Sequence, residues 1–168
     1  MPILGVISSG ISGHLETGSF ESIATVTVGS GGQSTVDFTS IPATYTHLQL
    51  RGISRSLRTG AGLNTFSFTV NGSATGYWYH ALSADSATAY AFNAGSSTSS
   101  FYGGFTTRVG DAANVFQSFI IDILDYKSTT KNKVIRQLWG VDTNDIYGTV
   151  SLTSGSWTNT AAINQITF

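Results

Sequence analysis

Two carboxylates, Asp122 and Asp125, lie in the most apolar stretch of the chain, FQSFIIDILDY at 116–126. A carboxylate pair serves as general acid and base when both groups reach one reacting atom. On an extended strand, residues three apart point to opposite faces, so these two do not form such a pair by themselves. Arg136, on the next strand-like run, is the expected cross-strand partner of Asp122, and an ordinary ion pair is the stronger expectation.

The remaining chemistry-bearing residues are equally unassertive. His14, His47 and His80 are the three histidines, and none has a second ligand at metal spacing. DTND at 142–145 resembles part of a calcium loop but lacks the glycine and the distal glutamate that such a loop needs, so Asx-turn chemistry accounts for it better. GSGG at 29–32 is not followed by Lys-Ser/Thr, as a phosphate loop would be. NGS at 71–73 fits a glycosylation pattern and reads here as a turn. There is no cysteine and no G-x-S-x-G nucleophile elbow. No catalytic residue, metal site or cofactor is therefore expected, and the chain is not read as an enzyme.

The aromatics are the last candidates. Tyr77, Trp78, Tyr79, Tyr90, Phe92, Phe101, Tyr102 and Trp157 could stack on sugar rings or line a subunit interface. Core or interface is the first expectation and host glycan the second.

The elements that must carry these residues are strands. The 168 residues include 23 Ser, 23 Thr and 19 Gly, yet aromatics still make up 12%. Disordered chains lack aromatic and β-branched residues, whereas Thr, Val, Ile, Tyr and Phe punctuated by Gly and Ser describe an antiparallel β protein. Charged residues are only 10% and the net charge is -1, which argues against an electrostatic nucleic-acid binder.

Alternation predicts strands at Ile23–Val28 (IATVTV), Thr35–Phe38, Leu48–Ser54, Thr65–Val70, Tyr77–Leu82, Phe101–Thr107, Val134–Val141, Tyr147–Leu152 and Ile163–Phe168. Phe116–Tyr126 reads as a central strand buried on both faces over 119–124, and residues 83–100 as a long loop with one edge strand inside. About nine or ten short strands and no helix give an all-β fold, an antiparallel β-sandwich of jelly-roll type. Residues 1–20 are expected to be an extended N-terminal arm and residues 21–168 the β-sandwich domain. No Lys or Arg precedes Arg51 and the apolar run Met1–Ile7 is short, so neither a secretory signal nor a membrane span is expected.

With the strands placed, MPILGVISSGISGHL and the following SFESIATVTVGSGGQSTVDFTSIPATYTHLQLRGISR resemble a group of short structural proteins of tailed bacteriophages. SFIIDILDYKSTTKNKVIRQLWGVD and SLTSGSWTNTAAINQITF resemble the same group's second half. The resemblance implies a virion component made in the host cytoplasm. Capsid cement or decoration proteins and minor tail or fibre proteins both belong to this group, and no active site comes with it.

Under that resemblance the apolar tip has a role. Burying Ile3, Leu4, Val6, Ile7 or Ile11 contributes about 1.5–3 kcal/mol each, and fixing the backbone costs about 1–2 kcal/mol per residue. One arm would dock weakly, but several joined by their β-domains would bind at raised effective concentration. The expectation is a homotrimer that grips the major capsid protein with its arms, without nucleic-acid or membrane partners. The alternative is a receptor-binding module at a tail tip, holding host glycan through its aromatics.

Overall fold

The computed structural model describes residues 20–60, 62–85, 87–143 and 148–168. The tip residues Ile3, Leu4, Val6, Ile7 and Ile11 lie outside them. Ten strands are formed: β1 (Asp37–Phe38), β2 (Leu48–Ser54), β3 (Leu63–Val70), β4 (Tyr77–Asp85), β5 (Thr88–Asn93), β6 (Phe101–Thr107), β7 (Gln117–Leu124), β8 (Lys133–Asp142), β9 (Gly148–Trp157) and β10 (Ile166–Thr167). Among the described residues there is no helix. All strand pairings are antiparallel, in a four-stranded sheet ordered β1-β10-β3-β6 and a six-stranded sheet ordered β2-β7-β8-β9-β4-β5. The fold is all-β and β-sandwich-like.

The core is what the alternation puts between the sheets. Phe68, Val70, Tyr77, Phe101, Ile121, Ile123, Tyr126, Ile135, Trp157 and Ile163 form one buried cluster. Phe168 bridges the sheets. Its ring stacks on Phe66 at 5.2 Å and lies 5.7 Å from Phe119. Buried phenols find partners, as they must. Tyr77 Oη accepts from the Val70 N–H at 2.8 Å, and Tyr126 Oη donates to the Pro42 carbonyl. Asn71, at φ 51 in the turn after β3, accepts the N–H groups of Asn164 and Gln165 on its side-chain oxygen and donates to Ala162 O, latching the chain that enters β10.

Several buried groups are polar, and the Gln117 and Gln137 amides and Lys133 have structural reasons. A β-bulge in β6 leaves Gly103 out of register between Phe66 and Ser67 of β3. Its carbonyl faces inward and accepts from the amides of both Gln117 and Gln137. Next to it, Gly104 has φ 106, and any Cβ there would enter the Trp139 ring, so glycine is required twice over. Lys133 is fully buried and donates from Nζ to the carbonyls of Ser128 (2.6 Å), Lys131 (2.8 Å) and Thr160 (3.0 Å), tying the β7–β8 turn to the segment after β9. Arg55 does the same for the β6–β7 connection, donating to Ala112 O, Val115 O and Asp111 O.

Four expectations need correction. Ile23–Val28 is not a strand: it alternates, but no ladder partner among the described residues accepts it. Residues 83–100 are not mainly loop, because β4 runs on to Asp85 and pairs with β5 in register Asp85↔Thr88. Phe116–Tyr126 is not buried on both faces. Ile121 and Ile123 are buried while Ile120 is exposed, because the smaller sheet covers only one side of β7. Asp125 is not on the strand but in the turn after it, at φ 52, with its carboxylate 2.8 Å from Lys131 Nζ.

Replacing Lys133 by Met strands three carbonyls while keeping an unbranched side chain one atom shorter. The expected result is a loss of about 2–3 kcal/mol, measured as a lower urea midpoint at unchanged slope.

Candidate functional site

No catalytic constellation emerges among the described residues, and no three His, Asp or Glu side chains converge there. What the fold presents is surface. Register decides its character, because directly paired residues of neighbouring strands point to the same face.

On the face of the six-stranded sheet turned away from the smaller sheet, one row crosses the sheet: Arg51, Ile120, Leu138, Leu152, Leu82 and Ala91, in strand order β2-β7-β8-β9-β4-β5. Leu82, Leu152, Leu138 and Ile120 are 61%, 57%, 51% and 39% exposed. The row on one side is Ile53, Ser118, Gly140, Val150 and Ala84. The row on the other side is polar: Gln49, Asp122, Arg136, Ser154, His80 and Asn93. Beyond it come Leu124, Val134, Ser156 and Trp78.

The expected Asp122–Arg136 pair is present at 3.6 Å, as cross-strand neighbours. Gln49 Nε2 donates to Asp122 Oδ1 at 2.7 Å, and Arg51 Nε donates to Gln49 Oε1. This chain of polar contacts fixes the polar row and leaves the apolar row bare. Ile53, Trp78, Val134 and Val150 are exposed too. Ile53 and Val150 adjoin the leucine row, whereas Trp78 and Val134 lie across the polar row. The contiguous strip presents roughly 550 Å² of apolar surface, at the upper end of the 300–600 Å² of an ordinary monomer's largest patch, a size that is often functional.

A second feature adjoins the β2 edge. Glu21–Gly31 is exposed throughout and runs past β2 in the same direction. Phe20 packs on the Arg51 guanidinium at 5.4 Å, Glu21 holds the Tyr45 phenol above its usual pKa range by hydrogen bonding, and Gly32 lies against Leu57. Between this segment and the body is an open groove of about 2100 Å³, lined by Ile23, Val26, Val28, Leu50, Ile53 and Phe119 among others.

The aromatic candidates divide. Tyr77 and Trp157 are buried core residues, so neither ring is open to a sugar. Tyr79 and Tyr90 lie on the inner face, where the smaller sheet ends before β4 and β5. Tyr79 stacks on Tyr102 at 5.6 Å and Tyr90 on Phe92 at 6.0 Å, so ring faces that would meet a sugar already meet each other. Trp78 alone of the eight candidates lies on the outer face of the six-stranded sheet, where it is exposed.

Sequence reasoning missed the outer apolar face. Leu82, Leu138, Leu152 and Ile120 are separated in the chain, and only register puts them in one line. The usable signal was that both parities of β8 are apolar, Val134 and Leu138 on one, Ile135, Trp139 and Val141 on the other.

Burial raises the Tyr102 phenol pKa strongly, with Tyr90 and Tyr79 adding to it. A raised folded-state pKa means that its contribution to stability is whole below the unfolded value of 10.0 and falls as pH climbs above it. Thermal melts should therefore show a steep stability loss above about pH 10, and Tyr102→Phe should make it shallower. Comparison of the chain with protein-family models, curated proteins and solved structures finds no match.

Proposed function

We propose that the chain is a bacteriophage virion structural protein, a decoration protein that binds the outer capsid surface as an oligomer and stabilises junctions between major capsid subunits. Its action is mechanical: separating neighbouring capsid subunits requires unseating the bridge as well. The resemblance of the quoted stretches to phage structural proteins gives the class. Strand order supports a jelly roll beneath it. Two interlocked Greek keys place first, eighth, third and sixth strands in one sheet. The order β1-β10-β3-β6 fits this with β10 as the eighth. The other sheet should read second, seventh, fourth, fifth. The order β2-β7-β8-β9-β4-β5 fits that with one hairpin, β8–β9, inserted between seventh and fourth.

The observation that carries the proposal is Ile23–Val28. It has a strand's alternation, leaves Ile23, Val26 and Val28 exposed, and passes β2, whose outer edge has no partner among the described residues. A segment with strand chemistry and no strand partner is suited to pairing with a neighbouring polypeptide. Residues 1–20 extend it as the gripping arm.

In the test, chains lacking residues 2–20, or carrying Ile23→Ser, Val26→Ser and Val28→Ser together, are added to purified undecorated particles. Both should stay folded and lose at least about tenfold in particle binding, with wild type present at on the order of hundreds of copies per particle, as capsid symmetry requires. Full binding by both variants would overturn the arm's role. A handful of copies at one vertex would move the protein to the tail.

A further inference from the structure

We infer that the outer face of the six-stranded sheet is a self-association surface, on which two copies of this chain pack face to face about a two-fold axis parallel to the strands, between β8 and β9. The inference concerns the chain alone and does not rest on the virion reading.

Area is the first argument. A standard interface takes about 800 Å² from each partner, and the apolar strip supplies most of that, with the exposed Arg136, Ser154, His80 and Asn93 of the polar row beside it adding to it. An antiparallel sheet that has one solvated face ordinarily makes it polar. Here the outer face carries Leu82, Leu138, Leu152 and Ile120, while Ser83, Gln137, Ser151 and Thr153 are buried inside.

Self-complementarity is the second. An isologous interface requires the same patch to fit itself, and sheets pack face to face about 10 Å apart. The proposed axis carries each row onto itself. Leu138 then lies over Leu152 of the second copy, and Ile120 over its Leu82. In the next row Gly140 lies under Val150 and Ser118 against Ala84, small against large. In the polar row Asp122 meets His80, Arg136 meets Ser154 and Gln49 meets Asn93, so no like charges face each other. At the rim, Phe20 on Arg51 lies over the small Ala91. The usual crossing of about 30° between packed sheets preserves the pairing of the middle strands.

The other in-plane axis, perpendicular to the strands through the leucine row, does worse. It lays Gly140 over Arg136 and Ser118 over Asp122, burying the ion pair against groups that cannot serve it, which is costly. The axis parallel to the strands is therefore the one the surface chemistry favours, and it gives a pair where a trimer was the expectation from sequence.

The full chain contains no cysteine, so introduced thiols are unique reporters. Sedimentation equilibrium should give twice the 17.7 kDa chain mass. Leu138→Glu and Leu152→Lys, both at exposed positions, should each weaken the pair at least about 100-fold while thermal melting in the monomer range stays near wild type. A mixture of Ile120→Cys and Leu82→Cys chains should be joined by a short bis-maleimide, while either variant alone should not, since Ile120 and its own copy lie about three strand spacings, roughly 14 Å, apart across the axis. A monomeric wild type, a trimer mass, association untouched by both charged variants, or equal cross-linking of Ile120→Cys with itself would each overturn the inference. Loss of particle binding by an intact pair would count against the capsid role alone.

Discussion

A β-sheet has two faces, and among the described residues only one face of the six-stranded sheet is covered. The four-stranded sheet hides Ile121, Ile135 and Trp139 beneath it, but among the described residues it has no counterpart on the other side of β7, β8, β9 and β4. Leu82, Leu138 and Leu152, 51–61% exposed, each forgo about half of the roughly 1.5–3 kcal/mol that full burial contributes. The surface has solved its polar problem and not its apolar one: Asp122, Gln49, Arg136 and Arg51 engage each other, while the adjacent row engages nothing among the described residues.

The inner face carries the complementary oddity. Gln117 and Gln137 are buried because the β6 bulge turns the Gly103 carbonyl inward and needs amide donors. Ser83 and Ser151 share a hydrogen bond at 2.7 Å across β4 and β9. Lys133 is held by three carbonyls at the end of β8. An unserved buried polar group costs about 1–3 kcal/mol, so these pairings make a polar interior tolerable. They also fix the register that lines up the outer leucines. A one-residue slip of β8 against β9 would turn Leu138 inward and Gln137 outward, so the buried amides and the bare leucines are two consequences of one alignment.

Much of this was legible in the sequence. The all-β class, nine of the strands, the Asp122–Arg136 pair and the Asn71-Gly72 turn follow from alternation, apolar runs, turn residues and cross-strand geometry. Ile23–Val28 misled because alternation describes one strand's fitness for pairing and says nothing of whether a partner is present. Phe119–Leu124 misled because a continuous apolar run suits a strand buried on both faces and equally one with a greasy exposed face. The outer surface was illegible because its rows are built from β2, β7, β8, β9 and β4, strands up to about a hundred residues apart, and period-2 patterning holds no information on which strands are neighbours.

The inserted hairpin unites these features. In the proposed jelly roll, β8 and β9 are a hairpin added between β7 and β4 of the six-stranded sheet. The hairpin supplies Val134, Leu138, Val150 and Leu152, half of the exposed apolar face, and it supplies Gly140, the gap that a valine could fill. It also pushes β4 and β5 outward beyond the reach of the smaller sheet, and Tyr79, Tyr90, Phe92 and Tyr102 then pack on one another to close the uncovered inner corner. An insertion that enlarges one face past what the smaller sheet covers fits the proposed association: the added strands bury Ile135, Trp139 and Trp157 on their inner side and present on their outer side the centre of the surface that two copies would share.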